Sequence, residues 1–156
     1  MVELPFPPQS PPGIGPALPE AEFHDIYRRV PRLTVEVVVE SARGVVLTLR
    51  ETGPCAGLWH IPGGTVRFGE PLVAAVGRVA ATELGLDVTV GPLLGYIEYP
   101  SHYLHGLDSP VGLAFLCHIR GGGASAPGSG SWFSELPAPM HAEQRTFLLE
   151  HGLAHT

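Results

Sequence analysis

Apolar and polar positions alternate from Leu33 to Glu40. Leu33, Val35, Val37 and Val39 fall on one side, and Thr34, Glu36, Val38 and Glu40 on the other. A period of two predicts a β-strand. Ser41-Ala42-Arg43-Gly44 reads as a hairpin turn and Val45 to Arg50 as the return strand. Further on the period changes. Leu72, Val76, Val79 and Ala80 recur at spacings of three and four, so they share one helical face. Pro71 suits a helix start and Gly85 the left-handed turn past its end, which bounds a helix from about Pro71 to Leu84.

The remaining pattern fills in around these two elements. Glu20 to Val30 predicts a short helix with Phe23, Ile26, Tyr27 and Val30 on its apolar face, ended by Pro31. Leu58 to Ile61 is a short strand leading into a Pro62-Gly63-Gly64 turn, and residues 65–68 a short extended piece. Asp87 to Pro100 is β-rich, with a break or bulge at Gly91-Pro92. Ser101 to Pro110 reads as an exposed loop. Val111 to Arg120 is a continuous apolar run, the mark of a central strand. Gly121 to Ser131 is a low-complexity loop, Trp132 to Ser134 a short strand, and Met140 to His151 a last helix with Phe147 and Leu148 buried. Residues 1–19 form a proline-rich arm that forbids helix, and residues 20–156 a single domain. Strands interleaved with helices predict a mixed sheet with helices on its faces.

Composition narrows the function classes. With 44% hydrophobic and 15% charged residues, the chain is a globular domain. A net charge of −6, with no basic cluster beyond Arg28, Arg29 and Arg32, argues against a nucleic-acid partner. No apolar run reaches the length of a membrane span, and the N-terminus lacks the layout of a signal peptide, so a cytoplasmic location is expected. Cys55 and Cys117 are far apart and outside any CxxC spacing, which predicts reduced thiols and argues against structural zinc.

The stretch from Gly64 to Leu86 carries a more specific signal. Gly64, Glu70, Arg78, Glu83, Gly85 and Leu86 fall in the register of the Nudix box, so the chain resembles the Nudix hydrolase superfamily. Val79 and Thr82 stand where that pattern has Glu. The segment from Arg78 to Gly85 is also similar to the box of the GDP-mannose mannosyl hydrolase group. So are Val30-Pro31, Glu36, Arg50 and the run Ala56-Gly57-Leu58-Trp59 before Pro62-Gly63-Gly64. That group has a Gln-His pair ahead of its late Trp, supplying a metal ligand and the base. Here those positions are about Ala126 and Pro127.

The resemblance implies a Nudix-type α/β/α sandwich with a mixed β-sheet. It implies hydrolysis of a nucleoside diphosphate linked to another moiety, a nucleotide sugar being one case. Mg2+, or Mn2+ in its place, would neutralise the phosphate oxygens. Glu83 is then the retained metal ligand, helped by a backbone carbonyl of Gly63 or Gly64. Gly63 and Gly64 shape the turn, and Glu70 and Arg78 brace it as an ion pair. Arg50 is a candidate phosphate contact and Glu36 a candidate group beside the sugar; the plainer fates are a surface salt bridge and a solvated strand carboxylate. His102 and His105 are the candidates for the missing base, because histidine titrates near neutrality and loops carry function. Trp59, Tyr96 and Tyr103 are candidates for stacking a base. The related group is dimeric, which makes a homodimer an expectation. The other reading is a catalytically weakened nucleotide-binding sensor, as the lost box carboxylates suggest.

Overall fold

The computed structural model describes residues 13–121 and 130–155. Ala126 and Pro127, and the first twelve residues of the proline-rich arm, lie outside the described residues. In chain order the elements are α1 (Glu20–Tyr27), β1 (Arg32–Ser41), β2 (Gly44–Leu49), β3 (Trp59–His60), β4 (Gly63–Thr65) and α2 (Leu72–Val79), which runs into a π-helical turn (Ala80–Leu84). They continue with β5 (Val88–Glu98), α3 (Pro100–Leu104), β6 (Pro110–Ile119), β7 (Gly130–Phe133) and α4 (Ala142–Glu150).

The sheet runs β3-β2-β1-β6-β5, with β4 paired to the first half of β1 and β7 paired to β2. β1 lies parallel to β6, and the other pairings are antiparallel, so the sheet is mixed as expected. β5 carries the irregular register around Gly91-Pro92.

β1 is central and covered on both faces, which its alternation alone does not reveal. Val35, Val37 and Val39 pack with Val76, Val79, Ala80 and Leu84 under α2 and the π-turn. Val38 packs with Ile97, Tyr99, Phe147 and Leu148 under α4. Thr34 and Glu36 share the second side by the strand period and are buried there. The predicted sides are right, but the expectation of a solvated strand carboxylate at 36 is not: α4 and Tyr99 cover it.

Two boundaries differ from the sequence reading. α1 ends at Tyr27, not Val30, because Arg28 to Val30 turn ahead of Pro31, and none of its residues is buried. Residues 101–110 are not a bare loop: Pro100, at the first helical position, starts the short helix α3. The described end of the arm lies on the body, with the Gly15 N–H donating to the Phe68 carbonyl at 2.8 Å.

Candidate functional site

Glu36 occupies a slot built from backbone. It is paired with Gly63 of β4, and a Cβ on Gly63 would collide with its Oε2. Gly112 of β6 clears the other side, where a Cβ would collide with Oε1. Two glycines on the flanking strands are what let a carboxylate lie flat in the middle of the sheet. Tyr99 donates its hydroxyl to Glu36 Oε1 at 2.9 Å, and Thr34 donates to the same oxygen at 3.0 Å. Gln144 fixes this chain from α4. Its amide N–H donates to the Tyr99 hydroxyl at 3.0 Å, while its Oε1 accepts from the Ile61 N–H at 2.7 Å. Tyr99 is therefore obliged to point its own proton at Glu36. Burial pushes the Glu36 carboxyl up from 4.5 to about 7, although Tyr99, Thr34, Arg32 and Arg50 all favour its charged form.

The slot is part of a cleft of about 560 Å³, counting its open mouth, that Arg32, Arg50, Cys55, His60, Gly63, Gly64, Tyr99, His102 and His141 help to line. Arg32 donates to Asp108 at 2.7 Å and to Thr65 Oγ1 at 2.9 Å, and its guanidinium lies 5.4 Å from the Phe23 ring centroid. Burial alone would raise Asp108, but the His102 hydrogen bond and Arg32 outweigh it and hold this carboxyl at about 2. Burial and the nearby Arg50 charge push His60 down to about 4, so its ring is neutral. Burial likewise lowers His141. Arg50 is exposed at the rim and acts on Glu36, His60 and His141 through its field. The cleft thus combines fixed positive charge with neutral imidazoles and one carboxylate poised near neutrality.

A family model for the Nudix domain matches residues 30–146. The chain belongs to the Nudix family. It is 41% identical over 99 residues to the low-salt glycan biosynthesis protein Agl8 of Haloferax volcanii, a match covering 62% of this chain and 64% of that one. It is 30% identical over 92 residues to the ADP-ribose pyrophosphatase of Methanocaldococcus jannaschii, covering 59% of this chain and 53% of that one. The chain therefore spans less than two thirds of either curated relative. Among solved structures it resembles a MutT Nudix hydrolase from Burkholderia pseudomallei, with a TM-score of 0.65 and 27% identity over 77% of this chain and 97% of that one.

The Nudix box of this chain is intact as a brace. Arg78 donates from Nε to Glu70 Oε1 at 2.7 Å and from Nη2 to Oε2 at 2.9 Å, and it also reaches the Thr65 carbonyl at 2.9 Å. The Arg67 N–H donates to Glu70 as well, at 2.9 Å. The eight-residue separation, too long for a pair along one helix, closes because Glu70 precedes the helix and the loop folds back. Arg78's hydrogen bonds hold the Glu70 carboxyl below its ordinary range.

The metal-facing part of the Nudix box is different. Nudix hydrolases generally use divalent metals. Here Val79 is 2% exposed and packs in the core, and a Cβ on Gly64 would stand 2.9 Å from its methyl group. Thr82 is exposed, and Glu83, half-buried in the π-turn, is not among the residues lining the cleft. One carboxylate does not make the multi-carboxylate site of the ordinary box, and hard Mg2+ wants oxygen ligands. The helix that carries Glu83 also packs on the opposite face of the sheet from Tyr99 and α4.

The other expected residues separate. Glu36, Arg50, His102, Gly63 and Gly64 meet at the cleft. His105 is exposed, with Nδ1 held 2.6 Å from the Ser101 carbonyl. Tyr103 and Tyr96 are exposed and line no part of the cleft, and Trp59 packs edge-on against Phe133, both half-buried against the core under α4. The aromatic rings beside the cleft are instead Phe23 and Tyr27, 4.7 Å apart on α1, and Tyr99. Tyr99, Gln144, Gly112, Cys55, Asp108 and His141 escaped the sequence reading. Of this arrangement the sequence showed only Glu36 itself, on the polar side of β1.

Proposed function

We propose that this chain hydrolyses a nucleoside diphosphate linked to another moiety, with nucleotide sugars as the substrate class and Glu36 as the general base. The observation that carries this is the Glu36 carboxylate, buried at the floor of an arginine- and histidine-lined cleft and poised at about 7. A base works best when its pKa lies near the working pH. Glu36 takes a proton from water as the water oxygen attacks, and the bond to the diphosphate oxygen or phosphorus breaks. The released phosphate carries the negative charge, which Arg50 and Arg32 offset; a guanidinium fork suits phosphate oxygens.

His102 serves less well as base, since its Nε2 lone pair is taken up by His141 at 3.1 Å. Phe23 and Tyr27 offer a stacking face for the nucleobase. Mg2+, or Mn2+ in its place, would have to be held chiefly by the diphosphate of the substrate, since Glu83 stands outside the cleft that holds Glu36. The relatives named for glycan biosynthesis and for ADP-ribose support a diphosphate joined to a sugar as the chemical class.

A second reading is binding without turnover, which the buried Val79 favours. Release of nucleotide, sugar and phosphate is measured across a panel of nucleoside diphosphate sugars with Mg2+ or Mn2+. Turnover with solvent ¹⁸O entering sugar or phosphate supports hydrolysis and names the bond cleaved. Micromolar binding by calorimetry with no product from any substrate replaces hydrolysis with the sensor reading.

A further inference from the structure

Cys55 lies in the connection between β2 and β3, His102 in α3 and His141 just ahead of α4, and all three line the Glu36 cleft. His102 Nε2 stands 3.1 Å from His141 Nε2 and 3.9 Å from Cys55 Sγ. The three donor atoms lie within 4.8 Å of one another, and no other His, Cys, Asp or Glu cluster of this kind occurs among the described residues.

The outer nitrogens of both rings face carboxylates. Asp108 Oδ1 lies 3.0 Å from His102 Nδ1, and its other oxygen is held by Arg32. The ionised Asp108 accepts a hydrogen bond from the Nδ1–H there, which leaves the lone pair of His102 on Nε2, aimed at the cluster. On His141, Nδ1 lies 3.2 Å from Glu143 Oε2, but out of line for a hydrogen bond, so both atoms are buried without a partner. With His102 Nε2 as acceptor, His141 must donate from its own Nε2. Moving that proton to Nδ1 turns it toward Glu143 Oε2 and frees the second Nε2. A small rotation of the ring would then bring these two orphaned atoms into line, and two ring lone pairs converge beside a thiol. A carboxylate on the far nitrogen is the usual support of a metal-binding histidine. Both rings have one here.

We infer that Cys55, His102 and His141 form a three-ligand site for a zinc-class divalent cation, with its fourth position open to the cleft. Tetrahedral zinc with bonds of about 2.0–2.1 Å to nitrogen and about 2.3 Å to sulfur puts ligand nitrogens about 3.3 Å apart and nitrogen and sulfur about 3.6 Å apart. The observed 3.1 Å and 3.9 Å lie close to these values, and the third separation, Cys55 Sγ to the His141 ring nitrogen, is within 4.8 Å and closes on binding. Thiolate and imidazole select zinc over Mg2+. On binding, the Cys55 S–H proton leaves to solvent, the His141 ring proton shifts to Nδ1, and no electron is transferred. The site uses neither Glu83 nor a nucleotide, so it stands whether or not the hydrolytic reading holds.

The test is metal binding by the full chain, stripped with chelator and then titrated without substrate. Co2+ is expected to bind one to one, with a thiolate-to-cobalt charge-transfer band and the visible bands of a four-coordinate ion. Zn2+ is expected to displace it with unit stoichiometry by calorimetry. Cys55→Ser removes the charge-transfer band, whereas Cys117→Ala keeps it. Asp108→Asn weakens Zn2+ binding by about 10- to 100-fold while leaving the thiolate band in place. Circular dichroism verifies that each variant is folded, and Cys55, half-buried in a connection, lies outside both core clusters. Absence of the band from the parent protein, or its survival in Cys55→Ser, overturns the inference.

Discussion

Gly63 and Glu36 face each other across β4 and β1, and the carboxylate of one fills the space where a side chain on the other would stand. A methyl group at 63 would also come within 3.0 Å of the Val35 carbonyl. Gly63→Ala is expected to displace Glu36 from its slot, at a cost of about 1–3 kcal/mol for overpacking. Denaturant unfolding reads the stability, and turnover should fall together with it. A Gly63→Ala enzyme of full activity would mean that the slot does not position the base.

Burial raises Glu36 from 4.5 to about 7, so the folded protein binds this proton more tightly than the unfolded chain does. Its contribution to stability is therefore present below about pH 4.5 and lost as the pH rises toward 7. The full effect is roughly 3 kcal/mol by linkage. Glu36→Gln should flatten this slope and raise the melting temperature at pH 8, while lowering kcat by about 10²- to 10⁴-fold. Thermal melts from pH 4.5 to 8 measure the first effect and single-turnover kinetics the second.

Activity of the parent protein should rise with pH through about 7, as Glu36 loses its proton. Tyr99→Phe removes a hydrogen bond that favours the charged carboxylate, so the inflection should move to higher pH. Gln144 loses an acceptor in the same variant. A pH profile of kcat/KM that stays in place would detach Tyr99 from the base.

Arg78 holds a Glu70 side chain that is 2% exposed. Arg78→Ala strands that carboxylate, and a loss of about 3 kcal/mol is expected at neutral pH. Arg78→Lys should recover little, because one ammonium cannot replace a two-pronged guanidinium. Glu70 has a lowered pKa, so its stabilisation is complete above about 4.5 and fades as the pH falls through its folded value. The parent and Arg78→Ala stability curves should therefore converge in acid, which urea melts at several pH values will check.

Val79→Glu restores the residue that the ordinary box carries. In this protein it buries a carboxylate beside Gly64 and among Val76, Ala80 and Leu84. The expected result is destabilisation on the order of 3 kcal/mol with no gain in Mg2+-dependent turnover. Increased Mg2+ affinity in calorimetry would show that the box can still accept the ion.

Much of the fold was legible because its signals are local. The alternation of β1, the turn before Gly44, the apolar run of β6 and the spacing of Val76, Val79 and Ala80 each fix an element within a few residues of chain. The Glu70–Arg78 brace was legible through its motif spacing. The cover over Glu36 was not, since it depends on α4 and Tyr99, which arrive from far along the chain. Strand alternation separates two sides without saying which is wet. Tyr103 and His105 illustrate the converse: their residue types suit a site, but the turns of α3 leave them facing solvent while His102 faces inward.

The sequence by itself determined the Nudix scaffold, the brace and the loss of the box carboxylates at 79 and 82. Only the tertiary structure decided where the titratable chemistry gathers. Burial raises Glu36, two glycines on different strands make room for it, and Cys55, His102 and His141 meet from three separate segments. Such effects depend on distance and solvent exclusion between residues distant in sequence, and no spacing along one strand or helix encodes them.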